Sequence, residues 1–369
     1  MKGKRKLTFI DKLFLWLNYL LCLALLLSYL SPYINPEKFW VIAFFGLAYP
    51  PLLLANLIML AYWLIRKSRL VLLPVITILV GWNVLCNNIG LRFPTETSNS
   101  KGADQLRVMT YNVHDFKPYG SNNDISTKHE ILEIISKSAP DVIGIQEFYT
   151  RKRGQYDMLD SMKKIMGTNF YYFEPFDVSY DQASGMAVFS RYPIIKSGLV
   201  KLPTNDIGNQ CLYIDIQKGN NKIRIYSMHL QSIRFEPEDY KYLGDLSKTG
   251  KTNMHATKRL GSKLKIAFIK RSRQVIAIKA HTKTCPYPYV ISGDFNDTPA
   301  SFAVNQMAKG LKNSFREKGS GLGRTYNGDF PNYQIDYIMA SPQFEVVNYQ
   351  IVKRRLSDHY PVFTDLILN

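Results

Sequence analysis

The sequence is short of cysteine. Its 369 residues include four, which are widely separated and form no CxxC pair: Cys22, Cys86, Cys211 and Cys285. This scarcity disfavours a thiolate zinc cluster and a disulfide-rich scaffold. Outside the cytoplasm Cys211 and Cys285 could form one disulfide, but their spacing leaves this open.

Acidic residues are also scarce. The chain carries 47 Lys and Arg against 29 Asp and Glu, a formal net charge of +18. This balance favours polyanions or anionic surfaces as partners over cationic ligands. No GxGxxG or Walker A motif follows a strand, and no internal repeat is found. Nothing in the sequence indicates an obligate protein partner.

Charged residues are missing from three long apolar runs in the first quarter of the chain. The runs cover residues 13–34, 39–65 and 70–91. Each reaches or exceeds the roughly 20 apolar residues that cross ~30 Å of hydrocarbon. The sequence therefore predicts a membrane anchor over residues 1–93 with three transmembrane helices. A cleaved signal peptide is the alternative for the first run, but the length of that run and the two that follow it disfavour this.

Basic residues are unevenly distributed around these runs. The loop between the first and second runs, near residues 31–38, has one Glu and one Lys. Eight other basic residues lie before the first run or between the second and third runs: Lys2, Lys4, Arg5, Lys6, Lys12, Arg66, Lys67 and Arg69. The positive-inside tendency makes those two segments cytoplasmic. Three crossings then place the rest of the chain outside the cytoplasm, in a multi-pass protein of the plasma (inner) membrane.

A polar segment, residues 94–104, predicts a linker, and residues 105–369 have the length of one large α/β domain. Apolar stripes predict one helix that ends before Pro140 and another over residues 264–280. Consecutive strands joined by short turns indicate hairpins and therefore a mixed sheet. Runs of β-branched and aromatic residues predict the strands, at 107–113, 141–146, 186–190, 212–217, 222–228, 289–292, 334–339 and 362–368.

Polar side chains cluster at the ends of these strands. Taken singly, each has an ordinary explanation as a solvated edge, a turn residue or a cap. Taken together they form a set of carboxylates, amides and histidines without a cysteine, and strand ends can face one crevice. Such oxygen and imidazole donors suit Mg²⁺ or Mn²⁺. The clusters contain Asn112, His114, Asp115, Glu147, His229, Asp294, Asn296, Asp297, Asp336, Asp358 and His359.

At these residues the chain resembles the endonuclease/exonuclease/phosphatase superfamily. The matching segments occur in the family's order and extend over residues 107–368. The resemblance implies an α/β fold of four layers, an α/β/β/α sandwich, that hydrolyses phosphoester bonds with Mg²⁺ or Mn²⁺. The segments are Met-Thr-Tyr-Asn112, Ile-Gln-Glu147, Ser-Met-His229, Gly-Asp294-Phe-Asn296, Ile-Asp336-Tyr and Ser-Asp358-His359-Tyr-Pro.

The resemblance also implies which residues hold the metal and the phosphate. Glu147 is the main metal ligand in this interpretation, and Asn112 and Asp358 arrange the metal and the phosphate. Asp294 and Asn296 hold the attacking water and the scissile phosphate. A metal, a group that positions water and an acid for the leaving oxygen are what phosphoester hydrolysis needs.

Two histidines complete the implied set. His359, oriented by Asp336, is a general base or a phosphate-stabilising imidazole, and His229 contacts the phosphate or assists the leaving group. A carboxylate behind an imidazole selects its tautomer. One departure concerns DNA-repair members of the family, many of which have an Asp where this chain has His114. The departure disfavours a repair enzyme, and His114 stays either a ligand or a spare loop residue.

The substrate is the least determined feature. Residues 234–273 form a basic insertion with eleven Lys or Arg and four acids. It suits a nucleic-acid backbone or phospholipid headgroups, or is only a solvated face. The main hypothesis is an endonuclease-like phosphodiesterase acting outside the cytoplasm. The alternatives are a hydrolase of phospholipid or another small phosphoester and a catalytically inactive binding protein, which the complete polar set disfavours.

Overall fold

Helices fill the N-terminal quarter of the chain, and strands dominate the rest. The computed structural model describes residues 7–92, 101–117, 125–203, 207–328 and 332–369. Its helices are α1 (Phe9–Ser28), α2 (Pro36–Phe39), α3 (Val41–Leu47), α4 (Tyr49–Ile65), α5 (Leu72–Val80), α6 (Trp82–Asn88), α7 (Ile125–Ser138), α8 (Met158–Met166), α9 (Pro237–Thr249), α10 (Met254–Thr282), α11 (Phe302–Ala308) and α12 (Ser314–Lys318).

The strands form two large mixed sheets and one short pair. They are β1 (Gly90–Leu91), β2 (Leu106–Asn112), β3 (Val142–Arg151), β4 (Phe170–Val178), β5 (Gln182–Ser190), β6 (Ile194–Leu199), β7 (Gln210–Lys218), β8 (Asn221–His229), β9 (Tyr289–Asp294), β10 (Lys312–Asn313), β11 (Ser320–Gly321), β12 (Asp336–Ala340), β13 (Phe344–Val346), β14 (Gln350–Ile351) and β15 (Val362–Leu368).

Each large sheet combines parallel and antiparallel pairs. The six-stranded sheet has the order β10-β12-β9-β8-β7-β6. The seven-stranded sheet has the order β13-β15-β2-β3-β5-β4, with β14 beside β15. The pairs β2–β3 and β8–β9 are parallel, so their carboxyl ends lie side by side. The mixed sheet that the hairpins predicted is confirmed twice over.

Three apolar clusters hold the sheets and helices in four layers. Val108 of one sheet and Ile225 of the other belong to the cluster between the sheets. Ile131 of α7 packs on the outer face of the seven-stranded sheet, and Val275 of α10 packs on the six-stranded sheet. Burying each such side chain contributes about 1.5–3 kcal/mol. The helix, sheet, sheet, helix order confirms the predicted α/β/β/α sandwich.

Seven strands were not predicted, of which five have only two or three residues and the two long ones, β4 and β6, are edge strands. All eight predicted strands are present with ends that differ by a few residues, and both predicted helices form. Each of these two long strands has a neighbour on one side only. Neither strand contains a buried residue. Their core-facing side chains, such as Phe173 and Ile194, are only partly buried, so the apolar pattern of these segments is weak.

The N-terminal helices correct part of the membrane prediction. Only α1 is, as a single helix among the described residues, long and apolar enough to cross a membrane. The second predicted span is α3 and α4 with a 63° bend, and the third is Arg69–Val80 and α6 with a 67° bend. The bends fall at Ala48, just before two prolines, and at Gly81, where helices readily end. Each bent pair passes the same length and composition criterion when taken together.

One buried carboxylate ties the start of α1 to the end of α4. Arg66 donates to both oxygens of Asp11, at 2.8 and 2.6 Å, and the Tyr62 hydroxyl donates to it at 2.7 Å. Asp11 is 1% exposed, so the charge is buried only because it is paired. The first helix therefore begins on the side of the molecule where α4 ends.

The other end of the N-terminal helices packs against the sandwich. Gln306 donates to the Pro32 carbonyl at 3.2 Å, and Tyr333 donates to the Leu47 carbonyl at 3.3 Å. The strand pair β1–β11 joins the end of the third apolar run to the sandwich. Residues 94–100 of the predicted linker lie outside the described residues. Of the rest, Lys101 forms an ion pair with Asp141 at 2.5 Å.

The four cysteines are free thiols. Cys211 is buried in the cluster between the six-stranded sheet and α10. Cys285 follows α10, with its sulfur 3.4 Å from the Tyr287 carbonyl oxygen. The disulfide that the sequence left open is therefore not formed in this structure.

Candidate active site

Strand ends from both sheets meet at one edge of the sandwich. The parallel strands β8 and β9 end at His229 and Asp294, which are register partners. The antiparallel strand β12 begins at Asp336, directly opposite Asp294. In the other sheet β2 ends at Asn112, whose Nδ2 donates to Asp294 Oδ2 at 3.3 Å. This hydrogen bond joins the two sheets at the site.

Glu147 reaches the same edge because strand β3 is irregular there. Its pairing with β5 shifts between Ile145 and Phe148. Glu147 has a φ of 51°, in the left-handed region that non-glycine residues seldom adopt. Such a bulge redirects the side chain, and the Glu147 carboxylate accepts a hydrogen bond from Asn112 Nδ2 at 3.0 Å. Backbone strain of this kind concentrates at functional sites.

The Gly-Asp-Phe-Asn segment is a rigid turn around Asp294. A Cβ on Gly293, whose φ is 144°, would lie 2.0 Å from the Met228 carbonyl oxygen, so only glycine fits there. Asn296, with a φ of 52°, donates its backbone N–H to Asp294 Oδ1 at 2.7 Å. Its side-chain amide donates to Asp294 Oδ2 at 3.2 Å and to the Leu230 carbonyl at 3.0 Å. These bonds hold the Asp294 carboxylate in one orientation.

A buried Asp–His pair stands beside Asp294. His359 Nδ1 lies 2.9 Å from Asp336 Oδ2, and His359 Nε2 lies 3.7 Å from Asp294 Oδ2. The backbone N–H of His359 donates to Ser357 Oγ at 3.2 Å. Burial lowers the pKa of His359, but the carboxylates of Asp336, Asp294 and Asp358 together raise it well above its usual value. The surroundings therefore favour the cationic imidazole.

Two of the carboxylates on the cavity, Asp294 and Glu147, differ in proton affinity. Burial raises the pKa of Asp294; His359 opposes this, Asp336 adds to it, and the resulting pKa is about 6. Burial also acts against the ionised form of Glu147, but His229 and a hydrogen-bonded amide outweigh it and hold the pKa of Glu147 below its usual value. Glu147 is thus charged at neutral pH, whereas Asp294 can exchange a proton near it.

His229 and Asp358 complete the predicted set. His229 Nε2 lies 3.6 Å from Asp294 Oδ2 and 3.9 Å from Glu147 Oε1. Its Nδ1 is buried and has no hydrogen-bond partner in the part of the chain that the structure describes. Asp358 Oδ1 accepts a hydrogen bond from Ser357 Oγ at 3.2 Å.

The predicted residues surround one cavity of about 800 Å³. Asp336 does not border it, because this residue lies behind His359 and bonds to it. His114, which departs from the repair-enzyme pattern, is also on the wall. The other seven predicted residues all line the cavity: Asn112, Glu147, His229, Asp294, Asn296, Asp358 and His359.

Arg271 is a cavity residue that the sequence did not indicate. It comes from α10, is 1% exposed and borders the cavity. Its Nη1 donates to the Asn296 carbonyl and lies 3.4 Å from Asp297 Oδ2. Its Nη2 has no hydrogen-bond partner among the described residues. The run of neighbouring basic residues conceals it in the sequence, because nothing local distinguishes a buried arginine from exposed ones.

The basic insertion carries less free charge than its composition indicates. Arg259 and Lys263 each pair with the buried Asp239 at 2.7 Å. Arg273 pairs with Glu37 of the N-terminal helices at 2.5 Å. Asp239 is already among the four acids of the insertion, so of these pairs only Arg273–Glu37 lowers its net charge, and the segment stays positive.

The donors around Glu147 fit a divalent cation. The Glu147 side chain is 35% exposed and lines the cavity. Asn112 donates to it through Nδ2, and the Asn112 Oδ1 accepts a hydrogen bond from the His114 backbone N–H. Carboxylate and amide oxygens are ligands that Mg²⁺ and Mn²⁺ prefer. A second group, Asp294, Asp336 and His359, has ligand atoms within 4.8 Å of one another. Asp336 and His359 of this group are hydrogen-bonded to each other, an arrangement that suits proton transfer.

A two-sheet sandwich with carboxylates, amides and histidines at one edge suits the hydrolysis of a phosphoester bond. The sequence profile of the endonuclease/exonuclease/phosphatase family matches residues 109–359, more than half of the chain. The chain belongs to this family. Family members are hydrolases that act on phosphoester bonds, typically with divalent metals, and this protein is an enzyme of that kind.

Solved structures share the fold at low sequence identity. An endonuclease/exonuclease/phosphatase from Beutenbergia cavernae superimposes with a TM-score of 0.52 at 20% identity, over 72% of each chain. A family protein from Bacteroides thetaiotaomicron gives 0.52 at 18% identity, over 72% of this chain and 98% of its own. The human Nocturnin catalytic domain gives 0.51 at 17%, over 72% and 94%. These identities establish the fold alone.

The N-terminal helices match a different profile. Residues 11–88 match a domain of unknown function, DUF8431. No curated protein matches the chain.

Proposed function

We propose that the protein is a membrane-anchored phosphoester hydrolase that uses Mg²⁺ or Mn²⁺ outside the cytoplasm. The observation that supports it most is the convergence of Glu147, Asp294 and the Asp336–His359 pair on one cavity. In this proposal residues 1–93 are the anchor, 94–104 the linker and 105–369 the catalytic domain.

Glu147 holds the cation in this proposal, with Asn112 and Asp358 as its neighbours on the cavity wall. The lowered pKa of Glu147 keeps this ligand ionised at neutral pH. A bound divalent cation would supply charge stabilisation to the phosphate and lower the pKa of a bound water.

The proton-handling residues lie on the other side of the cavity. Asp294, held by Asn296, accepts a proton from the attacking water. His359, held by Asp336, donates a charged hydrogen bond to the scissile phosphate. His229 contacts the phosphate or the leaving oxygen, since its Nε2 lies between the two carboxylates. Assigning His359 to the phosphate follows from the carboxylates that favour its cation.

An activity assay on the full-length protein tests this function. With Mg²⁺ or Mn²⁺ it should hydrolyse bis-p-nitrophenyl phosphate, and EDTA should abolish the activity. Asp294→Ala and His359→Ala should each lower kcat by about 10²–10⁴-fold. The matched control is Asp177→Ala, an exposed carboxylate on β4, which should behave as the parent. A folded protein without activity on any phosphoester would instead favour the inactive binding protein.

We also propose that all three apolar runs cross the membrane. The Asp11–Arg66 ion pair places the start of the first run and the end of the second on one side. Pro32, near the other end of the first run, and Leu47, at the bend of the second, contact the sandwich. A topology reporter fused after Asn369 should be active outside the cytoplasm, and a signal only in the cytoplasm would contradict the three-span topology.

The same chemistry serves a polynucleotide and a lipid phosphoester, and the polar residues do not distinguish these substrates. The remaining walls of the cavity bear on that choice.

A further inference from the structure

One wall of the active-site cavity is apolar. Phe44 and Leu47, from α3 of the N-terminal helices, contribute to it. Leu260, Leu264 and Phe268 of α10 contribute the adjoining part. The rings of Phe44 and Phe268 meet edge to face with centroids 5.3 Å apart, so the two parts form one surface. Hydrolysis of a phosphate group by itself does not require such a surface.

Arg271 marks the boundary between the polar and apolar parts. Its guanidinium lies 5.3 Å from the centre of the Phe268 ring on one side and bonds to the Asn296 carbonyl on the other. The unpartnered Nη2 noted above belongs to this side chain. A buried arginine with a spare donor suits an anionic headgroup that lies between the catalytic residues and an apolar chain.

The volume of the cavity also exceeds what a phosphate needs. At about 800 Å³ it lies in the upper part of the range of about 300–1,000 Å³ for small-molecule cavities. Its lining combines the polar catalytic edge with the apolar wall, so the cavity has room for a ligand with a charged group and an apolar chain.

The apolar wall lies where the anchor meets the sandwich. Leu47, which lines the cavity, is also the residue whose carbonyl accepts from Tyr333. Nearby, the Lys265 ammonium lies 4.7 Å from the centre of the Trp40 ring. Tryptophan and snorkelling lysine are both enriched at membrane interfaces. A substrate in the bilayer would therefore be beside the cavity.

We propose that the substrate is a membrane lipid with a phosphoester headgroup and that the apolar wall binds its hydrocarbon chain. This rests on the proposed hydrolase function. The reaction forms a bond from the water oxygen to phosphorus and breaks a phosphorus–oxygen ester bond, and the proton taken from water passes to the leaving oxygen. A polynucleotide has no hydrocarbon chain for the wall.

A series of p-nitrophenyl alkyl phosphates tests the proposal on the full-length protein in nanodiscs. The ethyl, hexyl and dodecyl esters share one leaving group and differ only in the chain. For every four methylenes that are buried against the wall, kcat/KM should rise by a factor on the order of 100. Leu264→Ser should lower the dodecyl to ethyl ratio about tenfold.

The control separates binding to the wall from partition into the nanodisc. Ile266, on the same helix, is 49% exposed and does not line the cavity. Ile266→Ser should keep the parent ratio, whereas an effect of partition alone would make all three proteins alike. Three outcomes would overturn the lipid assignment. They are the same ratio in all three proteins, equal turnover of the ethyl and dodecyl esters, and a higher kcat/KM on plasmid DNA than on the dodecyl ester.

Failure of the hydrolase function gives a different result. The protein would then hydrolyse none of the esters, the ethyl ester included. Calorimetric binding of dodecyl phosphate would still report on the wall: binding that Leu264→Ser weakens and Ile266→Ser does not would support it, and no binding would refute it.

Discussion

Replacing Asp336 by Asn tests the role of the Asp–His pair. Asparagine keeps the shape of the side chain and an oxygen for His359 Nδ1, which lies 2.9 Å from Asp336 Oδ2. What it removes is the negative charge behind the imidazole. That charge is a main cause of the raised pKa of His359, so the substitution should lower this pKa.

The size of the effect follows from the separation of the charges. Two unit charges about 4 Å apart interact by about 4 kcal/mol at an effective dielectric constant of about 20. Because 1.36 kcal/mol corresponds to about one pKa unit, the proton affinity of His359 should fall by a factor of about 10³. The imidazole of the variant then loses its charge at a lower pH than that of the parent, and above that pH kcat should fall by about 10²–10⁴-fold.

The pH dependence of kcat distinguishes this from a loss of structure. In the parent the protonated imidazole persists to high pH, and Asp294, with a pKa of about 6, limits activity on the acidic side. Asp336→Asn should move the basic limb to lower pH. The matched control is Asp215→Asn in the same sheet, which breaks a buried pair with Arg224 at 2.6 Å and should lower Tm without changing the pH profile.

An Asp336→Asn enzyme with kcat within about threefold of the parent and an unchanged basic limb would refute the reasoning. His359 would then act without the charge of its partner, and the buried pair would serve stability alone.

Three further predictions concern the metal, a buried ion pair and pH. Glu147→Gln should weaken Mn²⁺ binding about 100-fold in titration calorimetry, whereas Glu174→Gln, which changes a carboxylate outside the cavity, should not. Arg107→Met leaves Asp365 buried without the partner that donates to it at 2.7 and 2.8 Å, and should lower the free energy of unfolding by about 3–5 kcal/mol, seen as a lower Tm. Burial, helped by nearby cations, lowers the pKa of His281 below its usual value of 6.5. The contribution of this residue to the free energy of unfolding should therefore be fully present above pH 6.5 and be lost as the pH decreases through the folded-state pKa. Tm measured from about pH 7.5 to pH 5 should show this decrease, and His281→Phe should reduce it.

Each of these has a result that contradicts it. Parent-like Mn²⁺ affinity in Glu147→Gln would place the cation at other residues. An unchanged Tm in Arg107→Met would mean that the buried carboxylate finds another partner. An identical dependence of Tm on pH in His281→Phe would assign that dependence to other groups.

Sequence patterns predicted most of the sandwich because its central strands have one required composition. β2, β8 and β9 are buried along most of their length, so apolar residues are selected at nearly every position. The edge strands β4 and β6 have no such requirement and went unpredicted. The third and second apolar runs met the length criterion, but their bends depend on how each helix packs against its neighbours.

Short segments of the sequence also predicted the residue types of the site. A carboxylate, amide or histidine at a strand end is a local feature, and the order of the segments indicated the family. Whether those side chains meet does not depend on local sequence. Asn112 and Asp294 are 182 positions apart in the chain, but Asn112 Nδ2 lies 3.3 Å from Asp294 Oδ2.

By itself, then, the sequence determined the family, the type of donor at the site and an apolar N-terminal segment. Only the tertiary structure decided that a bulge turns Glu147 into the cavity, that Arg271 is buried there and that Phe44 of the N-terminal helices forms its wall. The reason is physical. Composition and spacing specify the faces of individual helices and strands, whereas close packing of distant segments specifies which side chains share a cavity.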